Sequence, residues 1–326
     1  MSKTIKWGIL GTGWIASQFT KDLAYASNGE AYAVGSRTAE SAEKFAAEYG
    51  IKKAHASYED LVNDPEVDAI YVATPHPFHK ENVLLCLRAG KAVLCEKPFT
   101  VNAGEVEELV SFARENKVFL MEGMWTRFLP AICKVREWLN EGKIGEIKLV
   151  KADFGFRANY DPEGRLLNPK LGGGALLDAG IYPVSFASMI FGAEPEQVWS
   201  TAHIGETGVD EEFSLLFSYG SGKTAQLNGA VRLGLTNEAF IYGTDGHIRI
   251  PSFLNAYTAE LHVNGNVTTF EDDRESIGYA FEAEELGRCL IEGRTESSVI
   301  PLDESVSIMK LLDQIRGQWG LRYPFE

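Results

Sequence analysis

Gly11, Gly13 and Ala16 stand at the spacing G-x-G-x-x-A in Gly11-Thr12-Gly13-Trp14-Ile15-Ala16, directly after a short apolar run and directly before a helix-like segment. That context suits the pyrophosphate of a dinucleotide. Gly11 permits a tight turn, Gly13 lets the backbone approach the phosphates, and Ala16 allows close helix–strand packing while the helix N-terminus faces the anion. The plain alternative is a glycine-rich turn with no ligand. NAD sites usually place an Asp or Glu about 20 residues after the glycines to hold the ribose 2′-OH. Here the second apolar run ends in Ser36-Arg37-Thr38. A hydroxyl and a guanidinium suit a 2′-phosphate through charge-assisted hydrogen bonds, so NADP is favoured over NAD. The plain reading of Arg37 is a solvated loop residue.

A second chemical signal is Val93-Leu94-Cys95-Glu96-Lys97-Pro98. It puts a charged pair at the carboxyl edge of a parallel sheet, where doubly wound proteins bind ligands. Lys97 can donate a hydrogen bond to a carbonyl or alkoxide oxygen, or perturb a neighbouring phenol, while Pro98 fixes the backbone that aims it. Taken alone, the three residues read equally well as a surface pair capping a strand. Two other patterns mislead. Gly220-Ser221-Gly222-Lys223-Thr224 imitates the end of a phosphate-binding loop, but its earlier glycine is replaced by Phe217 and its flanks alternate like a hairpin. His76-Pro77-Phe78-His79 imitates a metal pair, yet Pro77 interrupts a helix there and no third ligand is near in sequence, so no metal is expected. A serine hydrolase has no support, because the chain lacks a G-x-S-x-G elbow.

These groups need a frame, and the spacing predicts it. From Thr4 to about Gly123, apolar runs at Ile5–Leu10, Ala31–Val34, Asp68–Ala73, Ala92–Cys95 and Val118–Met121 alternate with helix-like Trp14–Ala26, Ala39–Tyr49, His79–Ala89 and Ala103–Asn116. Such a β-α-β series implies a doubly wound parallel sheet covered by helices. Beyond Trp125 the rhythm changes. Helix-like Leu129–Asn140, a strand at Glu146–Phe156 and alternating runs punctuated at Gly220-Ser221-Gly222, Asp245-Gly246 and Asn264-Gly265-Asn266 predict an α+β domain with a large, mostly antiparallel open sheet. Helices at Tyr279–Glu292 and Asp303–Trp319 close the chain. The expected division is a cofactor domain, residues 1–123, and a substrate and dimerisation domain, residues 124–326.

Bulk properties narrow the class. The chain has 326 residues, 45% of them hydrophobic and 24% charged, as packed globular proteins do. The net charge of −15 repels phosphate backbones and anionic headgroups, so neither nucleic acid nor a membrane is an expected partner. The membrane-like stretch Gly172–Ala193 is broken by Asp178 and Pro183 and reads as a buried helix. Cys86, Cys95, Cys133 and Cys289 form no C-x-x-C pair. With no leader pattern at Met1-Ser2-Lys3, they suggest reduced thiols in the cytoplasm.

The glycine motif, Thr74-Pro75 with His79, Glu96-Lys97-Pro98 and the later Gly174-x-Leu176-x-Asp178-x-Gly180-x-Tyr182, in this order, resemble the glucose–fructose oxidoreductase/inositol dehydrogenase/rhizopine catabolism (Gfo/Idh/MocA) family over essentially the whole chain. Met121–Phe128, Tyr182 and the ending Gln318–Pro324 resemble its dimeric dihydrodiol dehydrogenase branch, whose relatives include NADP-dependent xylose dehydrogenases.

The resemblance implies a Rossmann domain, a homodimer through the outer face of the C-terminal sheet, and a Lys97-Pro98 bond that is often cis. It further implies that Lys97 contacts the reacting oxygen and that Tyr182 exchanges a proton with it, its phenol lowered from about 10 by a neighbouring ammonium. Asp178, four residues earlier, is expected on the same helical face, binding substrate or orienting the lysine. Thr74, Pro75, His79 and Glu96 join the cofactor site. Trp125 and Arg127 are implied to lie over the cofactor, although a core tryptophan and a structural salt bridge are equally good readings. Phe154, Phe156, Arg157 and Tyr160 are candidate pocket walls. The expected activity is hydride transfer between NADP(H) and a small sugar, polyol or trans-dihydrodiol. The rivals are an NAD-linked polyol or inositol-type dehydrogenase and a non-catalytic NADP-binding sensor.

Overall fold

The apolar runs of the first 123 residues lie side by side as a parallel sheet in the computed structural model, which describes residues 4–326. The start expected to lack a leader, Met1-Ser2-Lys3, is outside the described residues. In chain order the elements are β1 (Ile5–Leu10), α1 (Trp14–Asp22), β2 (Gly29–Gly35), α2 (Ala39–Tyr49), β3 (Lys53–His55), α3 (Tyr58–Val62), β4 (Ala69–Val72), α4 (His79–Arg88), β5 (Ala92–Glu96), α5 (Ala103–Asn116) and β6 (Leu120–Gly123). The sheet order β3-β2-β1-β4-β5-β6 is that of the Rossmann fold, with its crevice at the switch between β1 and β4. β4, β5 and β6 are buried along their whole length, which is why they read as continuous apolar runs rather than alternating ones.

β3 and α3 are additions to the expected series. Lys53-Ala54-His55 carries no apolar run and pairs only with the edge of β2. Tertiary bonds secure it instead: Lys53 and His55 both reach the Asp64 carboxylate, at 3.1 Å. α1 also stops at Asp22, four residues short of the expected Ala26, and passes into a single tighter turn over Leu23–Tyr25.

The second sheet is built from β7 (Ile147–Gly155), β8 (Gln197–Ile204), β9 (Asp210–Tyr219), β10 (Lys223–Ala230), β11 (Ala239–Gly243), β12 (Gly246–Ile250), β13 (Thr258–Val263) and β14 (Asn266–Glu271). Its order is β14-β13-β12-β11-β7-β10-β9-β8, antiparallel except for β7 with β10. All three expected turn signals connect consecutive antiparallel strands, and Gly220–Gly222 is the β9–β10 turn, not a phosphate loop. α6 (Pro130–Asn140) precedes this sheet. A single π-helical turn, Leu176–Gly180, leads into α7 (Ile181–Phe191), which packs on β7 and β10. The segment Pro169–Phe191 is long and apolar enough to cross a membrane, but 83% of its most apolar window is buried inside the protein.

The chain does not divide at one cut. One compact unit is Met1–Trp125 with Glu275–Val306; the other is Thr126–Arg274 with Ser307–Glu326. The first crossing falls two residues beyond the expected 123/124 border, and α8 (Tyr279–Ile291) belongs with the Rossmann sheet rather than the C-terminal domain. The cause is visible at Asp22. Its buried carboxylate accepts hydrogen bonds from the Ile277 amide at 2.6 Å, the Gly278 and Ala280 amides at 2.9 Å and the Ser276 hydroxyl at 2.8 Å. It thereby caps the helix that returns to α1, where a buried charge is tolerated because its lone pairs are filled. The last helix, α9 (Leu302–Trp319), straddles the third crossing.

Candidate active site

Gly11 has φ +107°, and a Cβ there would sit 3.3 Å from the Ala73 carbonyl oxygen, so the turn and its approach to the neighbouring loop require glycine. Gly13 begins α1 with extended backbone, and a Cβ at that position would meet nothing within 4 Å. α2, α3 and α5 are capped by the side chains of Thr38, Ser57 and Asn102. α1 has no side-chain cap and no acid in its first turn. An uncapped helix end above open space is the arrangement that receives a diphosphate.

Ser36 is buried and its amide donates to His55 O at 3.2 Å; Arg37 is exposed. The Arg37 charge reaches the half-buried Tyr58 phenol and works against the upward push of burial there. The hydroxyl of Thr38, expected in the cofactor site, accepts the Ser41 amide at 3.3 Å and serves as the α2 cap. Sequence reasoning also missed Ser41 and Lys44. With Thr12, Gly13 and Trp14, they line a groove of about 360 Å³ beside the glycine turn. Their spacing of three on α2, one turn past Arg37, is the signal that could have found them. Trp14 stands 73% exposed at the groove's edge.

At the end of β5 the Lys97-Pro98 bond is cis. Its turn is held by buried groups. The His79 ring places Nδ1 3.0 Å from Pro98 O and Nε2 2.6 Å from Thr74 O, bridging the loops after β4 and β5. Burial lowers the His79 pKa, against the pull of those carbonyls. Asn82 donates to the Thr74 hydroxyl at 3.1 Å. Glu122 accepts from the Phe99 amide at 3.2 Å and from the Ser305 hydroxyl at 2.6 Å. Neither Asn82 nor Glu122 was singled out in the sequence. The carboxylate of Glu96, expected in the cofactor site, is turned inward: Tyr71 donates its hydroxyl to Oε1, and the Lys97 amide donates to Oε2 at 3.2 Å.

Beside this pair lies Glu282 of α8, fully buried, with neither carboxyl oxygen hydrogen-bonded. Burial first, then the charges of Glu96 and Asp22, push its carboxyl well above the usual range. The folded state therefore holds a proton that the unfolded chain releases above about pH 4.3. The contribution of Glu282 to stability is complete below that value and is lost as pH rises toward the folded-state pKa. Glu282→Gln is expected to raise unfolding stability by about 1–3 kcal/mol at pH 8 and by less at pH 5. Urea unfolding at both pH values checks this; equal differences at the two would remove the assignment.

In the second unit, Tyr182 is 7% exposed in the first turn of α7, with the Phe154 ring edge-on at 5.5 Å. Phe156 lies beside Phe154 at 5.8 Å. Tyr160, by contrast, is exposed, bonded to Glu206 at 3.1 Å with the Arg232 guanidinium over its ring, and Arg157 forms a bridge to Arg232. Asp178 lies in the π turn Leu176–Gly180, and Tyr182 follows four residues later in the first turn of α7. The Asp178 carboxylate is paired with Arg165 at 2.5 Å, a partner the sequence did not indicate. Trp125, in the first unit, is buried with its ring 4.9 Å from Tyr279. Arg127 is buried and donates from Nη2 to Ser185 O at 2.7 Å and from Nε to Ser185 Oγ at 3.2 Å. Trp125 thus has the burial of a core tryptophan, and Arg127 is held by hydrogen bonds to Ser185.

Comparison with known proteins agrees with this geometry. Residues 5–124 match the family model described as an oxidoreductase family with an NAD-binding Rossmann fold, and residues 132–249 match the GFO/IDH/MocA C-terminal domain. The chain is 43% identical to trans-1,2-dihydrobenzene-1,2-diol dehydrogenase of Mus musculus, over 98% of each protein. It is 40% identical to the Xenopus laevis protein of the same name, over 98% of this chain and 99% of that one. A solved structure of a 3-ketoreductase from Actinomadura kijaniata, in complex with NADP and TDP-benzene, superposes with a TM-score of 0.85 at 27% identity, covering 97% of this chain and 98% of that one.

Proposed function

The chain belongs to the Gfo/Idh/MocA oxidoreductase family, and from that membership we propose an NADP(H)-dependent dehydrogenase that acts on a small sugar, polyol or trans-dihydrodiol. It is an NAD(P)-dependent oxidoreductase of CH–OH groups. The choice of NADP is supported by the end of β2, which carries Ser36 and exposed Arg37 and no carboxylate, and by the groove beside the glycine turn, where Ser41 and Lys44 stand with Glu48 and no side chain caps α1. The likeness to the mouse and frog dehydrogenases along the whole chain supports a dihydrodiol or similar cyclic diol as substrate.

In this reading the bound nicotinamide supplies the hydride chemistry. Gly11, Gly13 and the first turn of α1 seat the diphosphate, with Thr74, Pro75 and the His79 bridge shaping the loop beside it. Tyr182 takes the proton of the substrate hydroxyl during oxidation and returns it during reduction. The ammonium of Lys97 stabilises the alkoxide-like oxygen, and the His79 and Glu122 contacts keep its turn in place. Asp178, on the turn before α7 and anchored by Arg165, binds the substrate hydroxyl or orients the lysine. The free cysteines, three of them buried, suit a reducing compartment and support a cytoplasmic setting.

The test is to follow nicotinamide reduction with NADP⁺ and, separately, NAD⁺ against trans-dihydrodiols, aldoses and inositols. Turnover of a diol or aldose with NADP⁺ is expected. Preference for NAD⁺ with inositols would move the assignment to the polyol branch, and binding without turnover to a sensor.

We also infer a homodimer through the outward face of the second sheet. That face carries a row of neighbouring rings: Phe240 stacked with Tyr242 at 5.8 Å, Tyr242 tilted against His247 at 5.5 Å, and His247 stacked with His262 at 4.3 Å. Size-exclusion chromatography at micromolar concentration is expected to give twice the chain mass; a monomer would refute the assignment.

A further inference from the structure

The segment that carries Asp178 and Tyr182 is gripped at its amino end by a residue outside every motif. Asp210, the first residue of β9, is fully buried, and its Oδ2 accepts the Leu176 amide at 2.6 Å, at the start of the π turn. Its Oδ1 has no hydrogen-bond partner. A Cβ on Gly174, which has φ +125°, would lie 2.3 Å from that oxygen, so the backbone of the glycine loop is pressed against the carboxyl group. From the other side the Tyr323 hydroxyl donates to Gly173 O at 2.8 Å. Two buried side chains thus hold Gly173 and Leu176 of the loop from which the π turn and α7 depart.

We propose that Asp210 is a positioning residue for the reaction: its carboxylate clamps the loop 173–176 and so sets the place of the π turn and of the Tyr182 phenol. The proposal rests on the reading of Tyr182 as the acid/base. A hydrogen bond to a charged acceptor is about twice as strong as one to a neutral acceptor, so the clamp is firm while Asp210 is ionised and slack when it is protonated. Burial raises the Asp210 pKa to about 7, against the downward pull of the Leu176 amide, its own amide, the Arg316 charge and the Ala175 amide. The groups facing it are Arg316 on α9, whose charge is shared with Asp313 at 2.6 Å and Glu326 at 2.8 Å, and Tyr323, which also feels Glu326 and Asp178. The neighbouring Glu211 is paired with Arg232 at 3.5 Å. The clamp therefore loosens as pH falls through neutrality.

The experiment compares the parent with Asp210→Asn, which keeps the shape and an acceptor but cannot ionise, and with the milder Tyr323→Phe. The readouts are hydrogen exchange of amides 174–182, the NADPH Kd, and the pH profile of kcat. For Asp210→Asn the expected results are faster exchange, an unchanged NADPH Kd, a kcat about 10- to 100-fold lower, and loss of the parent's fall in kcat below about pH 7. Tyr323→Phe should lower kcat less and keep the pH step. Unaltered exchange, a step that persists in Asp210→Asn, or faster exchange with full kcat would each overturn the proposal. Full activity of Tyr182→Phe alongside a defective Asp210→Asn would overturn the reading of Tyr182 and leave the clamp standing.

Discussion

Tyr182→Phe is expected to lower kcat by about 10²- to 10⁴-fold, the usual share of a general acid/base, while leaving the NADPH Kd unchanged. The variant removes one oxygen and keeps the ring that packs edge-on against Phe154, so the thermal midpoint should move little. Lys97→Met should also act on kcat rather than on cofactor affinity, because its ammonium is assigned to charge that develops on the substrate oxygen. Steady-state kinetics with a fluorescence titration separates the two parameters. A Tyr182→Phe enzyme with undiminished kcat would eliminate the tyrosine as proton carrier. The remaining candidate in the second unit would be Asp178, already engaged by Arg165.

The other large effect is on cofactor choice. Arg37→Ala is expected to weaken NADPH binding by about 10- to 100-fold, the worth of a charge-assisted pair to phosphate, and to change NADH binding by less than about twofold. Lys44→Ala should act in the same direction, and more weakly because it lies a turn further along α2. Since Arg37 is exposed, the discrimination should shrink as salt is raised, its field being screened over about 8 Å at physiological ionic strength. Equal loss of both cofactors in Arg37→Ala would show that the residue shapes the loop rather than reading the 2′-phosphate.

Much of this protein is legible in its sequence, because turn chemistry and hydrophobic period are local. The alternation of apolar runs and amphipathic segments yields the parallel sheet, and Gly11 and Gly13 stand where a tight turn and an open phosphate face need them. Asn264-Gly265 marks a hairpin because both residues accept positive φ, at +51° and +76°. β3 escaped the same reasoning, since an edge strand stabilised by ion pairs has no apolar pattern to detect. The π turn that carries Asp178 was equally hidden, because it leaves no signature in residue spacing.

What tertiary structure alone decided are the supports of the site. Asp22 meets Ser276 across 254 residues, Glu122 meets Ser305 across 183, and Asp210 reaches Leu176 across 34. Each is a buried carboxylate whose partners lie far along the chain, so no local pattern names them. They are selected only when burial removes water and a carboxylate must find its donors within the fold. The chemical residues and their order belonged to the sequence by itself. The contacts that support them, and the division of the chain into two units between which it crosses three times, belonged to the packing.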